Sequence, residues 1–367
     1  MSSAVLGAIM SCRMSPAIPT LPTRETRGML KTLALATALL AAPVGAQEIQ
    51  LTTVARIAGQ EGIGTTRGAL IERDARGRLY VREDPGLLSV YSPDGQFVRT
   101  IGGPGEGPNE YGFVTYVAAI DDSLFIFDGG NGRVVVADGD DFLEARTFPW
   151  PYPVTDGGTA WGDLIVNSNV ATKSGAGFAL TRLDREGNLV RHFDEFAYTE
   201  RGSTQNNLDR VIGTAPDGLW VGTRFGRFDV ALWNSDSRKR RIEGEDWGSL
   251  EGHPNLEVPP PPSLINLWES EGVLWVVTMV GSPDWKNGLG KRSKLPEGGG
   301  DYYPVESYEE VFDLLIEARD PVTGDLIASR QEDWMPGHAP SGLVVHYQET
   351  DLGAVVLVVY QPTLIKE

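Results

Sequence analysis

From residue 47 onward the chain alternates apolar and polar positions in short runs, bounded by glycine, proline, aspartate and serine. Such runs predict half-buried strands joined by tight turns, with little room for long helices. A turn precedes the most apolar run each time: Asp74-Ala-Arg-Gly77 before Leu79-Tyr-Val81, Asp121-Asp122 before Leu124-Phe-Ile-Phe127, Trp161-Gly162 before Leu164-Ile-Val166, Asp217-Gly218 before Leu219-Trp-Val221, Gly272 before Val273-Leu-Trp-Val276 and Gly353 before Val355-Val-Leu-Val358. With Gly77, Asp122, Gly162, Gly218, Gly272 and Gly353 as markers, the spacings are 45, 40, 56, 54 and 81 residues. Most lie near the roughly 40–50 residues of a four-stranded blade. Six units result.

A second set of turns, Ser92-Pro-Asp-Gly95, Asp184-Arg-Glu-Gly-Asn188 and Asp320-Pro-Val-Thr-Gly324, separates further strand-like runs. A unit therefore reads strand A, turn, B, loop, C, turn, D. The expected fold is all-β: a six-bladed β-propeller of four-stranded antiparallel blades. The last unit offers three strands, at 343–347, 354–360 and 362–366, and residues 49–58 offer a spare one. Pairing the two ends closes the last blade with the mature N-terminal strand and removes two open sheet edges. Ser307-Tyr-Glu-Glu310 has the capping-box spacing of a helix start, but Asp320-Pro321 ends it early. A brief helical turn and then a strand over about 313–318 is the expectation. The competing arrangement has two domains, with a helical insert near 281–320.

The segment in front of the repeat changes the picture of where the protein works. Arg27 and Lys31 precede the apolar run Leu33-Ala-Leu-Ala-Thr-Ala-Leu-Leu-Ala-Ala42, and Val44-Gly-Ala46 is a small-residue site. Residues 1–46 thus read as an N-terminal extension and secretory signal cleaved after Ala46, with Met29 the expected start of translation. The run is too short for a permanent membrane span, so no membrane insertion is expected after cleavage. The destination is the periplasm or the extracellular space. The only cysteine, Cys12, lies in that extension, so a mature chain of residues 47–367 has no thiol chemistry and no disulfide. The formal net charge is −18, and removing residues 1–46 with their net +3 leaves about −21. So acidic a surface repels phosphate backbones and anionic lipid, and argues against nucleic-acid partners.

The connector between the first two units is Ile101-Gly-Gly-Pro-Gly-Glu-Gly-Pro-Asn-Glu-Tyr-Gly-Phe113, and the following strands read Leu124-Phe-Ile-Phe-Asp-Gly-Gly-Asn-Gly-Arg-Val-Val-Val136. Both resemble segments of the NHL-repeat-like six-bladed propellers of secreted bacterial proteins. The first matches their Gly-x-Gly-x-Gly-Pro-Gly-Glu-Phe step, with Asn109 in place of a glycine and Tyr111 in place of a phenylalanine. The second is similar to their strand–Asp-x-x-Asn-x-Arg-Val–strand step. The resemblance runs from about residue 49 to the end and is sharp over 68–148. It implies the fold, and leaves function open among scaffolds, ligand binders and lactonase- or lyase-type enzymes.

In an antiparallel blade the A–B and C–D turns fall on one face of the ring, and the B–C loops and D–A connectors on the other. The A–B and C–D turns here are short. The long segments are all of the other kind: the connectors 102–112, 198–208 and 246–262, the B–C loop 168–177 and the B–C insertion 281–306. An elaborated face of this sort is where a rigid scaffold carries its site. The candidate binding residues there are Glu106, Asn109 and Glu110, then Arg201, Gln205, Asn206 and Asn207, then Arg224 and Arg227, and Asp284, Trp285, Lys286, Lys291 and Arg292. Glu106 and Glu110 fit equally the task of satisfying backbone N–H groups in a glycine-rich turn. Arg133 fits a blade-to-blade tie, and Trp161, Trp220 and Trp275 fit core packing. Residues 259–262, four prolines, read as a stiff spacer or a polyproline ligand.

No cofactor motif or catalytic constellation is present, and His192, His253, His338 and His346 have no metal-ligand spacing. The expectation is a binding module for a protein, peptide or carbohydrate, with no evident cofactor. Two alternatives stand beside it: a lactonase-like hydrolase or polysaccharide lyase with a divalent ion such as Ca²⁺ at the channel mouth, and a structural envelope component.

Overall fold

The structure, a computed structural model, describes residues 47–58, 70–84, 86–138, 141–171, 176–197, 209–235, 237–247, 258–294, 301–350 and 354–366. Within residues 47–366 it forms six four-stranded antiparallel sheets arranged as the blades of a propeller. The chain begins with β1 (Gln47–Ala58) and then builds the first blade from β2 (Leu70–Arg73), β3 (Leu79–Asp84), β4 (Leu87–Tyr91) and β5 (Phe97–Gly102). The second blade is β6 (Val114–Ile120), β7 (Ser123–Asp128), β8 (Arg133–Asp138) and β9 (Leu143–Pro149). The third is β10 (Asp156–Ala160), β11 (Asp163–Ala171), β12 (Ala176–Leu183) and β13 (Leu189–Ala197). The fourth is β14 (Arg210–Ala215), β15 (Gly218–Thr223), β16 (Arg227–Trp233) and β17 (Arg238–Asp246).

In the fifth blade β18 (Ser263–Ser270) and β19 (Val273–Gly281) lead into an excursion, a 3₁₀ turn at Trp285–Gly288 and a ribbon of β20 (Ser293–Lys294) with β21 (Asp301–Tyr302). The chain returns through one helical turn, Tyr308–Val311, to β22 (Phe312–Arg319) and β23 (Leu326–Glu332). The Ser307 hydroxyl caps that turn by accepting from the Glu310 N–H at 3.3 Å. The excursion is therefore a loop of the blade and not a second domain. The sixth blade is β24 (Pro336–Gly337), β25 (Val344–Glu349), β26 (Val355–Lys366) and, in the outermost place, β1.

The turns form as their residues dictate. Asp74, Asp184 and Asp320 each accept from backbone N–H groups two to four residues on, so an aspartate side chain closes each bend. Gly77, Gly187 and Gly324 follow at positive φ. Apolar side chains from facing blades share a cluster at every step round the ring. One cluster joins blades one, two and three, and the others join three to four, four to five, five to six and six to one. The outermost β17 carries Arg238, Arg240, Arg241, Glu243, Glu245 and Asp246, a charged edge that resists pairing with another chain.

Several sequence expectations change in detail. The marker Gly353 lies outside the described residues, in the stretch of sequence between β25 and β26, while the A–B turn of the sixth blade holds Gly342 at φ +87°. That misplacement, added to the fifth-blade excursion, produced the long last spacing. The runs 354–360 and 362–366 are a single strand, β26. Pro362 is tolerated because β25 pairs only as far as Tyr360, so beyond it β26 has β1 as sole neighbour. The innermost strand is instead the two-residue β24. The expected loop 168–177 is mostly strand, kinked by a register shift between Asn167 and Val170, with only 172–175 outside the described residues. Trp161 occupies the A–B turn at φ +57° rather than strand B.

β1 pairs with β26 from Gln47↔Lys366 to Ala58↔Val356. Its Ile57 enters the cluster between blades six and one, and its Ile49 the cluster between five and six. Ile57→Ala is expected to cost about 2–4 kcal/mol in urea unfolding, while Ile365→Ala, at an exposed position of the same sheet, costs less than about 1 kcal/mol.

Candidate functional site

Five A strands of four to eight residues surround the axis of the ring, but the sixth, β24, has two. The space left is a cavity of about 480 Å³. It is lined by the A strands and opens among the A–B turns at Asp74, Asp121 and Trp161. Two acids from different blades face it. Glu72 comes from β2 and Asp156 from β10, with Tyr116 of β6 placed by the blade between them. The Tyr116 hydroxyl donates to Glu72 Oε2 at 3.4 Å, and the Arg73 N–H donates to Glu72 Oε1 at 3.0 Å. Asp156 accepts from the Gly157 N–H at 2.7 Å and from one nitrogen of Arg224, Nη2, at 3.3 Å.

Beyond the cavity wall, towards the B–C side, two arginines tie neighbouring blades together. Arg82 Nη1 donates to the Val114 carbonyl at 2.6 Å, and Arg224 Nη1 to that of Leu264 at 3.5 Å. The near end is partly roofed by residues 338–343, which fold across the axis in place of a longer A strand. Asn266 Nδ2 holds this strap by the carbonyls of Ala339, Pro340 and Leu343 at 3.0, 3.0 and 3.2 Å. Arg73 Nη2 reaches the Ser341 carbonyl at 3.3 Å, and the Thr214 N–H donates to the Ser341 hydroxyl at 3.2 Å. One loop of the sixth blade is thus tied to blades one, four and five.

Burial governs the ionisation of this site. It pushes Glu72 up to about 8, with the Asp156 charge adding to the rise. It pushes Asp156 up to about 7 even though Arg224 and the Gly157 and Ile212 N–H groups pull the other way. Tyr116 is raised well above its usual value by the same burial and by both carboxylates. His338, which follows β24, is pushed down to about 4 by burial and by the positive charges of Arg224 and Arg82. Near neutral pH Glu72 holds its proton and Asp156 is divided between its two states, beside a neutral imidazole. That is a constellation of the kind found where ligands bind.

The residues singled out from the sequence are distributed differently. Among the described ones, Arg224 alone meets an acid of the cavity wall, Asp156. Asn109 and Glu110 belong to the first connector, where Glu110 Oε2 accepts from the Gly107 N–H at 2.9 Å and the Asn109 N–H donates to Glu144 Oε2 at 3.2 Å. Asn109 has φ +54°, the left-handed conformation that glycine or asparagine accepts best, which explains its substitution for glycine. Gly102 at φ +84° leaves room for the buried Tyr111 ring, which a Cβ there would meet at 2.2 Å. Glu106 is exposed on the same connector. Arg133 ties it down, donating to the Gly107 and Glu110 carbonyls at 3.1 and 2.7 Å and to Asp128 Oδ2 at 3.1 Å.

Arg227 lies 3.5 Å from Glu243 on the fourth blade. In the fifth-blade excursion Trp285 is buried under the Lys286 ammonium, 5.5 Å from its ring, with Asp284, Lys291 and Arg292 exposed nearby. Pro259 and Pro260 pack beside Gly281. Arg201, Gln205, Asn206 and Asn207 lie outside the described residues. Among the described residues, no group of three or more histidines, cysteines, aspartates and glutamates comes together in a way that would hold a metal ion.

Sequence reasoning missed Glu72, Tyr116 and Asp156, and took His338 only as one of several scattered histidines. The available signals were a glutamate inside the apolar run Leu70-Ile-Glu72 and an aspartate before Gly157-Gly158 where a strand A should start. Both are faint without the ring that brings them together.

With this geometry in view, comparison with known proteins bears on the fold. Residues 70–208 match the family DUF5128, described as "6-bladed beta-propeller". The chain is a six-bladed β-propeller. Similar solved structures include a Bacteroides fragilis NCTC 9343 protein named as exported, at 13% identity and TM-score 0.55, covering 87% of this chain and 96% of that one. Another is a member of the DUF4221 family from Bacteroides vulgatus ATCC 8482, at 10% identity and TM-score 0.52, covering 87% and 99%. At these identities the likeness is one of fold. None of the curated proteins matches the chain.

Two outcomes are expected. Glu72 and Asp156 keep their protons in the folded chain at pH values where the unfolded chain, with values of 4.5 and 3.8, has lost them. Their stabilisation is complete below those lower values and is lost as pH rises through about 7 and then about 8. His338 acts with the opposite sign, below about pH 6.5. Thermal unfolding should therefore show stability falling between about pH 4 and 8, most steeply just above about 6.5 where His338 no longer opposes the two acids, and Glu72→Gln should flatten that fall. Asp128 is fully buried and accepts from the Gly112, Phe113 and Asn131 N–H groups at 2.9, 3.2 and 3.3 Å. Asp128→Ala strands these donors and Arg133 together, and should cost about 3–5 kcal/mol in denaturant unfolding.

Proposed function

We propose that this protein is an exported binding module that takes a small ligand into the central channel through the face of the A–B turns. The observation that carries the reading is the cavity of about 480 Å³ with Glu72, Tyr116, Asp156 and His338 facing its interior. That volume is in the range of small-molecule sites, roughly 300–1,000 Å³. The polar groups come from four blades, so the rigid ring, rather than any local loop, holds them in position. Export is supported by the basic, apolar and small-residue stretches of residues 27–46, and by the similar Bacteroides fragilis protein named as exported. The glycine-rich connector supports kinship with the NHL-repeat-like secreted propellers.

The elaborated face contributes chiefly through Arg224, which meets Asp156 of the cavity wall. Glu110 and Arg133 are engaged in holding the connector, so their chemistry is spent on the fold.

The test is a thermal-shift survey of small polar compounds against the protein and a Thr159→Phe variant, which places a ring on the cavity wall. A ligand at a concentration about a hundred times its Kd should add about 2.7 kcal/mol of stability, and the variant should lose the effect. A ligand that protects both proteins equally binds elsewhere and overturns the channel as the site.

A further inference from the structure

The walls of the channel differ from what lies behind them in a way that specifies what it accepts. This deepens the reading of the channel as a ligand site and rests on it. On the walls, each acid leaves acceptor capacity turned to the cavity. Among the described residues Glu72 forms no ion pair; its basic neighbour Arg73 is turned to the strap carbonyl of Ser341. Its Oε2 has only the 3.4 Å contact from Tyr116. Asp156 meets Arg224 through one nitrogen at 3.3 Å and not through a paired fork. A carboxylate can accept about four hydrogen bonds, and neither of these is filled. Arg82 and Arg224, by contrast, lie behind the cavity wall and each donate to a backbone carbonyl.

We propose that the channel ligand is a small organic cation, a primary amine or guanidine with a short apolar body, whose charged nitrogen sits between Glu72 and Asp156. Ile212 and the Tyr116 ring supply the apolar wall for the body. A divalent ion would need six or more oxygen donors, and the two carboxyls with a guanidinium beside one of them are a poor offer. An ammonium needs three acceptors in a tetrahedral spread, which Glu72, Asp156 and the Tyr116 oxygen can supply from three blades. The formal charge of −18 draws cations towards the mouth.

Proton traffic follows from the same arrangement. The groups facing the pair are Arg73 on its own strand, Tyr116 on β6, Asp209 and Arg224 on the fourth blade, Arg82 on β3 and His338 beside the strap. With no ligand, the acids relieve their burial by holding protons. An arriving cation takes over that task, so binding releases protons to solvent and tightens as pH rises through the neutral range.

Isothermal titration calorimetry of the protein near neutral pH, in buffers of differing ionisation enthalpy, decides the matter with three probes of one length: cadaverine, pentanediol and glutarate. Cadaverine is expected to bind on the order of ten-fold tighter than pentanediol or more, with proton release. Glu72→Gln should abolish that preference, and Asp156→Asn should weaken it independently, so that poor folding of one variant leaves the other to report. Equal binding of cadaverine and pentanediol, or preference for glutarate, overturns the cation. If Thr159→Phe removes such binding, the channel still stands as the site. Absence of binding by all three probes also overturns the cation, and only a silent survey of the wider compound set would remove the channel with it.

Discussion

The pairing of β1 with β26 is the constraint on which the rest of the molecule depends. It joins segments some three hundred residues apart in sequence, twelve residues of β1 against eleven of β26. A five-and-three-quarter-blade chain would leave β26 unpaired on its outer side and two apolar interfaces half covered. β1 removes both defects, because its two isoleucines, Ile49 and Ile57, serve different interfaces of the same ring. Such a contact has the longest loop in the protein to close, so it rewards the chain only after the intervening blades have formed.

A closed ring permits what an open sheet could not. Glu72, Tyr116 and Asp156 sit on three successive blades, and each is costly to bury alone. The ring fixes them at one depth around an axis, where they share protons and hydrogen bonds in place of water. The short β24 has the same origin. A full sixth A strand would occupy the axis as its five counterparts do, but two residues of pairing release the chain at Gly337 to cross the mouth. Asn266, Arg73 and Ser341 then fasten it. Cavity and strap are two consequences of one shortened strand.

Much of this architecture is legible in the residue pattern. The aspartate turns at Asp74, Asp184 and Asp320, the runs that follow them and the capping box at Ser307 all act through neighbours within four residues. Where the pattern misleads, the cause is always distant. Pro362 divides an apolar run, yet it lies in one continuous strand because β25 has already ended beside it. The last A–B turn is held by Gly342, whose only signal is a glycine two residues before a valine run, because the short β24 ahead of it is set by the ring.

The sequence by itself determined the strand content, the turns, the six-fold repeat and the use of the N-terminal strand to close it, because each is written in local periodicity and turn chemistry. Only the tertiary structure decided which side chains meet on the axis. Glu72, Asp156 and His338 are separated by scores of residues and carry no shared motif. Their proximity, and with it the burial that shifts their protons, exists only once the ring has closed.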